Sequence, residues 1–162
     1  MTKVSWQYIA GFFDGEGSIS ISRYTRSDGG VSHKLVVELG ASKRDILDDI
    51  LETVEAGAIF RSPGGRWNGR PHDFFRLQLQ TAAARRFLSK VLPILRIKRT
   101  PAQIGLEFQS TMLKPGAHPL PPEVFDAREA LKSRLEQANR PRLSANKLTP
   151  KGDLILKEAK ST

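Results

Sequence analysis

Apolar positions along this chain change period several times, and each change marks an element. Residues 6–14 (WQYIAGFFD) are mostly apolar and follow Ser5, a good helix N-cap, so they predict a helix. That pattern stops abruptly at Asp14-Gly15-Glu16-Gly17. The two glycines suggest that the chain leaves the helix through conformations closed to other residues. From there Ser18-Ile19-Ser20-Ile21-Ser22 alternates with a period of two and predicts a strand over 17–26. A second strand is expected over 32–40, after the turn-rich Ser27-Asp28-Gly29-Gly30. Helical spacing returns over 44–56, with apolar residues at 46, 47, 50, 51 and 54, Ser42 or Lys43 near the start and Gly57 past the end. Strands are expected at 58–62 and 73–80, separated by the glycine-rich stretch PGGRWNGRP read as a loop. Thr81 opens a helix to about residue 92, and Thr100-Pro101 caps another to about 113. Phe87, Leu88, Leu92, Leu95, Phe108 and Met112 have core spacing within these two segments. Residues 115–122 read as a linker, 123–138 as a charged amphipathic helix, and Thr149-Pro150 as the start of a short last one.

The order α-β-β-α-β-β-α plus C-terminal helices predicts an α+β fold. Four antiparallel strands would have helices on one face and leave the other uncovered. Strand parity says what the uncovered face carries. Ile19 and Ile21 point one way; Ser18, Ser20, Ser22, Tyr24 and Arg26 point the other, on the side of Glu16. Leu35, Val37 and Leu39 oppose Lys34, Val36 and Glu38, and Phe75, Leu77 and Leu79 oppose Phe74, Arg76, Gln78 and Gln80. A twisted ribbon with such a polar, cationic face fits the major groove of a duplex. A strand of about nine residues covers roughly 30 Å, or about nine base pairs. On the first helix, Gly11 and Gly15 lie four apart between Tyr8 and Phe12, a bare strip on which another helix can pack closely.

Charge sharpens this picture. The 162 residues hold 26 Lys plus Arg against 17 Asp plus Glu, a net charge of +9, which marks affinity for a polyanion. The length suits one domain spanning 1–162. With no cysteine, disulfides and thiolate metal sites are excluded, and His33, His72 and His118 are too scattered for a zinc motif. No membrane-length apolar run and no signal-peptide pattern is present. The expectation is a soluble intracellular protein, in a prokaryotic cytoplasm or an organelle, not secreted and without a membrane partner.

The run IAGFFDGEGSI resembles the signature of the LAGLIDADG homing endonucleases. Ile9, Ala10, Gly11, Phe12, Phe13, Asp14, Gly15, Glu16 and Gly17 fill its places in order, with Glu16 where the name motif has Asp. A second stretch, FLSKVLPILRIKRTPAQ at 87–103, resembles the family segment whose basic residue reaches the active site. The resemblance covers about residues 5–113, leaving 114–162 as an extension, and the single copy of the motif points to the homodimeric branch. It implies a homodimer that binds a long, near-palindromic double-stranded DNA site and cuts both strands across the minor groove, leaving short 3′ overhangs. Glu16 would be the metal-binding acid, with the Gly15 carbonyl as a further ligand and Asp14 steadying the motif helix. Lys98 would be the lysine of the catalytic pocket, and Ser42 or Lys43 falls near the family's water-positioning polar residue. The implied cofactor is Mg²⁺ or another hard cation such as Mn²⁺, with Ca²⁺ binding without supporting cleavage; no small-molecule cofactor is expected. Tyr8, Gly11, Phe12 and Gly15 would form the dimer interface. DNA contacts are expected from Ser18, Ser20, Ser22, Tyr24, Arg26, Lys34, Glu38, Arg61, Arg66, Arg70, His72, Arg76 and Gln78. The alternative on the same fold is an RNA maturase or a DNA-binding protein that does not cleave; retention of the acid at Glu16 favours the enzyme.

Overall fold

The computed structural model describes residues 3–67, 70–113 and 120–140, and within them the side chains of all but residues 63–72. The expected final helix after Thr149-Pro150 lies outside the described residues. The elements are α1 (Trp6–Glu16), β1 (Gly17–Thr25), β2 (Val31–Ala41), α2 (Arg44–Val54), β3 (Ala58–Trp67), β4 (Arg70–Gln80), α3 (Thr81–Val91), α4 (Arg99–Ser110) and α5 (Pro122–Asn139). The strands form one antiparallel sheet in the order β1-β2-β4-β3, so the α+β expectation with its four-stranded sheet holds.

The core lies between the sheet and the helices. Ile19, Ile21, Leu35, Val37, Leu39, Leu77 and Leu79 supply the sheet side. Ile9 and Phe13 of α1, Leu47 and Ile50 of α2, Phe87 and Leu88 of α3, and Phe108 of α4 meet them. Phe13 and Phe87 pack edge to face, with centroids 5.1 Å apart. Leu95 is buried as expected, Leu92 is half-buried, and Met112 is exposed rather than core.

Several boundaries differ from expectation for identifiable reasons. The helix α1 runs on to Glu16, two residues past Asp14. Gly17, at φ −90°, has ordinary extended backbone, so unusual conformation is not why glycine stands there. Space is the reason: a Cβ on Gly17 would lie 2.0 Å from the Phe13 ring. Left-handed backbone occurs instead at Glu55 after α2 and at Gly57, at φ 55° and 104°.

The stretch read as a loop at 63–71 is mostly strand. Pairing of β3 with β4 runs from Ala58–Gln78 out to Trp67–Arg70, with a register shift between Ser62 and Gly65. Pro63 falls in that shift, and β3 is an edge strand, where a missing N–H and a local irregularity are tolerated. Glycine and proline therefore mimicked a loop in sequence.

The helix α4 starts at Arg99, with Lys98 in the N-cap position, rather than being capped by Thr100. The helix α5 packs back on α4 and β1 and places Leu131 and Leu135 in the core, which thus extends beyond residue 113. Arg128, 2% exposed, donates to the Thr111 carbonyl at 2.7 Å, and buried His33 meets Glu129 at 2.5 Å. Asn139 donates to the Ile19 carbonyl at 2.9 Å.

Candidate nuclease site

The helix α1 carries two stripes with i, i+3, i+4, i+7 spacing on opposite faces. Trp6, Ile9, Ala10 and Phe13 face the core. Two residues on, about 200° around the helix, Tyr8, Gly11, Phe12 and Gly15 form the second stripe. Tyr8 is 48% exposed and stacks on Phe12, and a Cβ at Gly11 or Gly15 would meet no atom within 4 Å. The four residues expected at a dimer interface thus share one uncovered strip.

At the end of α1, Asp14 turns toward the start of α4. Its carboxylate accepts the backbone N–H groups of Arg96 at 2.8 Å, Ile97 at 3.2 Å and Lys98 at 2.9 Å. This pins the turn that leads into α4 from across the fold; of the orphan donors of α4 it reaches the N-cap N–H of Lys98. Burial raises the Asp14 carboxyl, but the three backbone donors and the Lys98 charge outweigh it and hold the pKa below its ordinary value. The Lys98 ammonium donates to the Asp14 carbonyl and lies 6.0 Å from the Phe13 ring centroid. Burial lowers the Lys98 pKa, against the opposing pull of Asp14 and Glu16.

Glu16 is exposed, and among the described residues no side chain or backbone group hydrogen-bonds its carboxylate. It stands at the negative end of the α1 dipole, a place that disfavours an anion and favours a cation. Gly15 supplies one of the last α1 carbonyls, which no intrahelical N–H reaches. These hard oxygen donors suit Mg²⁺ or Mn²⁺. A hollow of about 290 Å³ beside Glu16 is lined by Ser18, Glu38, Gly40, Phe74 and Arg76. A larger groove, about 770 Å³, runs between the start of α4 and α5 and shares Lys98 with this end of the molecule. Ser42 and Lys43 sit exposed in the bend between β2 and α2, outside the hollow's lining.

Away from the hollow the uncovered sheet face continues. Register places Ser18, Ser20, Ser22 and Tyr24 opposite Glu38, Val36, Lys34 and Ser32, and Gln80, Gln78 and Arg76 beside Val36, Glu38 and Gly40. Phe60, opposite Arg76 and 53% exposed, joins this face; the parity of β3 would have disclosed it, although its apolar character suggested core. Two of the expected arginine contacts are held in ion pairs within the protein. Arg26 pairs with Asp28 in the β1–β2 turn, and Arg61, on the helix-side parity of β3, grips Asp73 through Nε at 3.0 Å and Nη2 at 2.7 Å. The side chains of Arg66, Arg70 and His72 lie outside the described residues.

The family model described as LAGLIDADG endonuclease matches residues 9–69, the segment that holds α1 from Ile9 on, Glu16, β1, β2, α2 and β3. Over that segment the chain is similar to the LAGLIDADG endonucleases. The resemblance drawn from IAGFFDGEG is thereby borne out. The fold agrees along a longer span. The homing endonuclease I-CvuI, in complex with the I-CreI target, aligns with TM-score 0.67 at 19% identity over 86% of this chain and 84% of its own. The archaeal intron-encoded homing endonuclease I-Vdi141I, complexed with DNA, aligns with TM-score 0.67 at 23% identity, covering 83% and 84%. I-SmaMI, bound to an uncleaved DNA target with calcium ions, aligns with TM-score 0.63 at 17% identity; this chain spans only 46% of it. No curated protein sequence matches the chain. Among the described residues no helix is long and apolar enough to cross a membrane.

Proposed function

We propose that this LAGLIDADG protein is a site-specific double-strand DNA endonuclease that works as a homodimer with a hard divalent cation. The carrying observation is the unpaired Glu16 carboxylate, set where the bare strip of α1 meets the open polar face of the sheet. Pairing of two such strips about a twofold axis brings two Glu16 side chains together. Dimerisation and cleavage are then inseparable. The I-CvuI and I-Vdi141I structures contain DNA, which supports a duplex as the partner.

In this reading the strands lie in the major groove of a long, near-palindromic site, and the paired ends of α1 face the minor groove between them. Glu16 and the Gly15 carbonyl hold the cation, with DNA phosphate oxygens filling the rest of its shell. Such a cation supplies water activation and stabilises the leaving 3′ oxygen. Asp14 fixes the 96–98 turn, so that Lys98 stays at the helix end. From there its ammonium stabilises charge developing on the scissile phosphate, and its lowered pKa eases proton donation. Ser42 or Lys43 orders water at the margin of the site. Cuts staggered across the minor groove leave short 3′ overhangs.

Cleavage selection on a randomised duplex library with Mg²⁺ tests this directly. It should recover one long site with twofold symmetry, and recovery of no cleaved sequence would overturn the reading.

A further inference from the structure

The open sheet face carries a continuous hydrogen-bonded chain. Lys34 Nζ donates to Gln80 Oε1 at 3.2 Å, Gln80 Nε2 to Gln78 Oε1 at 2.5 Å, and Gln78 Nε2 to Glu38 Oε1 at 2.8 Å. All four side chains are half-buried. An ammonium only donates and a carboxylate only accepts, so the two ends fix which way both amides face. Reversing either amide would set donor against donor or acceptor against acceptor. The chain therefore has one polarity, and every donor points from Lys34 toward Glu38.

We propose that Lys34, Gln80, Gln78 and Glu38 read a DNA half-site as one unit with that polarity, an inference that rests on the duplex-binding reading above. Lys34 keeps N–H donors to spare and selects a guanine edge, whose O6 and N7 accept. Glu38 keeps acceptor sites to spare and selects an amino-bearing edge, cytosine N4 or adenine N6. The two residues are four apart on β2, about 13 Å at about 3.3 Å per residue, so the two bases lie about four base pairs apart. Glu38 pairs with Ser18 and lines the hollow beside Glu16, which puts the amino-bearing base nearer the cut. Because each amide is oriented by its neighbours, the two base preferences are coupled through residues between them.

The test is sequencing of duplexes retained from a randomised library with Ca²⁺ present, for the wild type, Glu38→Gln, Gln78→Leu and Gln80→Leu. Glu38→Gln should weaken an inner preference for cytosine about tenfold and shift it toward adenine. Gln78→Leu should loosen both the inner and the outer preference, although neither Glu38 nor Lys34 is changed. Gln80→Leu should likewise loosen both preferences. If Gln78→Leu alters a single position or none, the side chains read separately and the coupled unit is refuted. A wild type that enriches no sequence would instead refute the duplex-recognition reading itself.

Discussion

Glu16 and Asp14 are two residues apart on one helix, yet their surroundings give them opposite chemistry. Asp14 is saturated by three backbone N–H donors, whereas Glu16 takes none and is left to bind from outside. Glu16→Gln should reduce Mg²⁺-dependent cleavage about a thousandfold while leaving duplex affinity nearly unchanged, as read by single-turnover kinetics and gel shift. Lys98→Met should slow cleavage about a hundredfold with little loss of binding; equal losses in both would make it a simple phosphate contact. Asp14 carries a pH signature as well. Its pKa in the fold lies below the ordinary 3.8, so its stabilisation is present above that value and is lost as pH falls through the folded pKa. The melting-temperature gap between wild type and Asp14→Asn should be full at neutral pH and close in strong acid. A gap that ignores pH would show that the carboxylate charge is irrelevant. Asp14 was legible as a motif acid from its place at the end of the apolar run, just before Gly15. Its partners were not, because they come from 82 to 84 residues away.

At the scale of elements, α1 serves the core with one stripe and leaves the opposite one bare. Gly11→Leu fills that bare strip and meets nothing within the subunit, so the monomer should fold normally. The dimer should loosen, because an added large side chain between close helices costs about 1–3 kcal/mol; analytical ultracentrifugation reads the change. An unaltered dimer would place the interface elsewhere. Period-two alternation made β1, β2 and β4 readable, face by face, and the helical spacing of α2 and α3 was equally plain. The outer half of β3 was hidden because an edge strand can hold glycine and proline without losing its pairing. The start of α4 was hidden too, since the turn at 96–98 is held by Asp14 from α1 and the helix begins ahead of Thr100.

For the whole molecule, charge and shape act together. An excess of nine positive charges draws a duplex in from any direction, while the open sheet face offers polar side chains on alternate residues at base-edge spacing. Affinity for duplex should thus fall steeply with salt, by about a thousandfold or more between 50 and 200 mM if six or more phosphates are contacted. A binding constant indifferent to salt would mean that the basic surface is not the DNA surface.

Short-range pattern was enough to settle the motif, the alternation that divides core face from open face, the two stripes of α1 and the basic character, because each depends on residues within a turn or a strand. The hold of Asp14 on the turn before α4, the clasp of α5 over His33 and the ordered chain from Lys34 to Glu38 were settled only by folding. They join residues 40 to 96 positions apart through strand register and helix docking, and no local period encodes such distances.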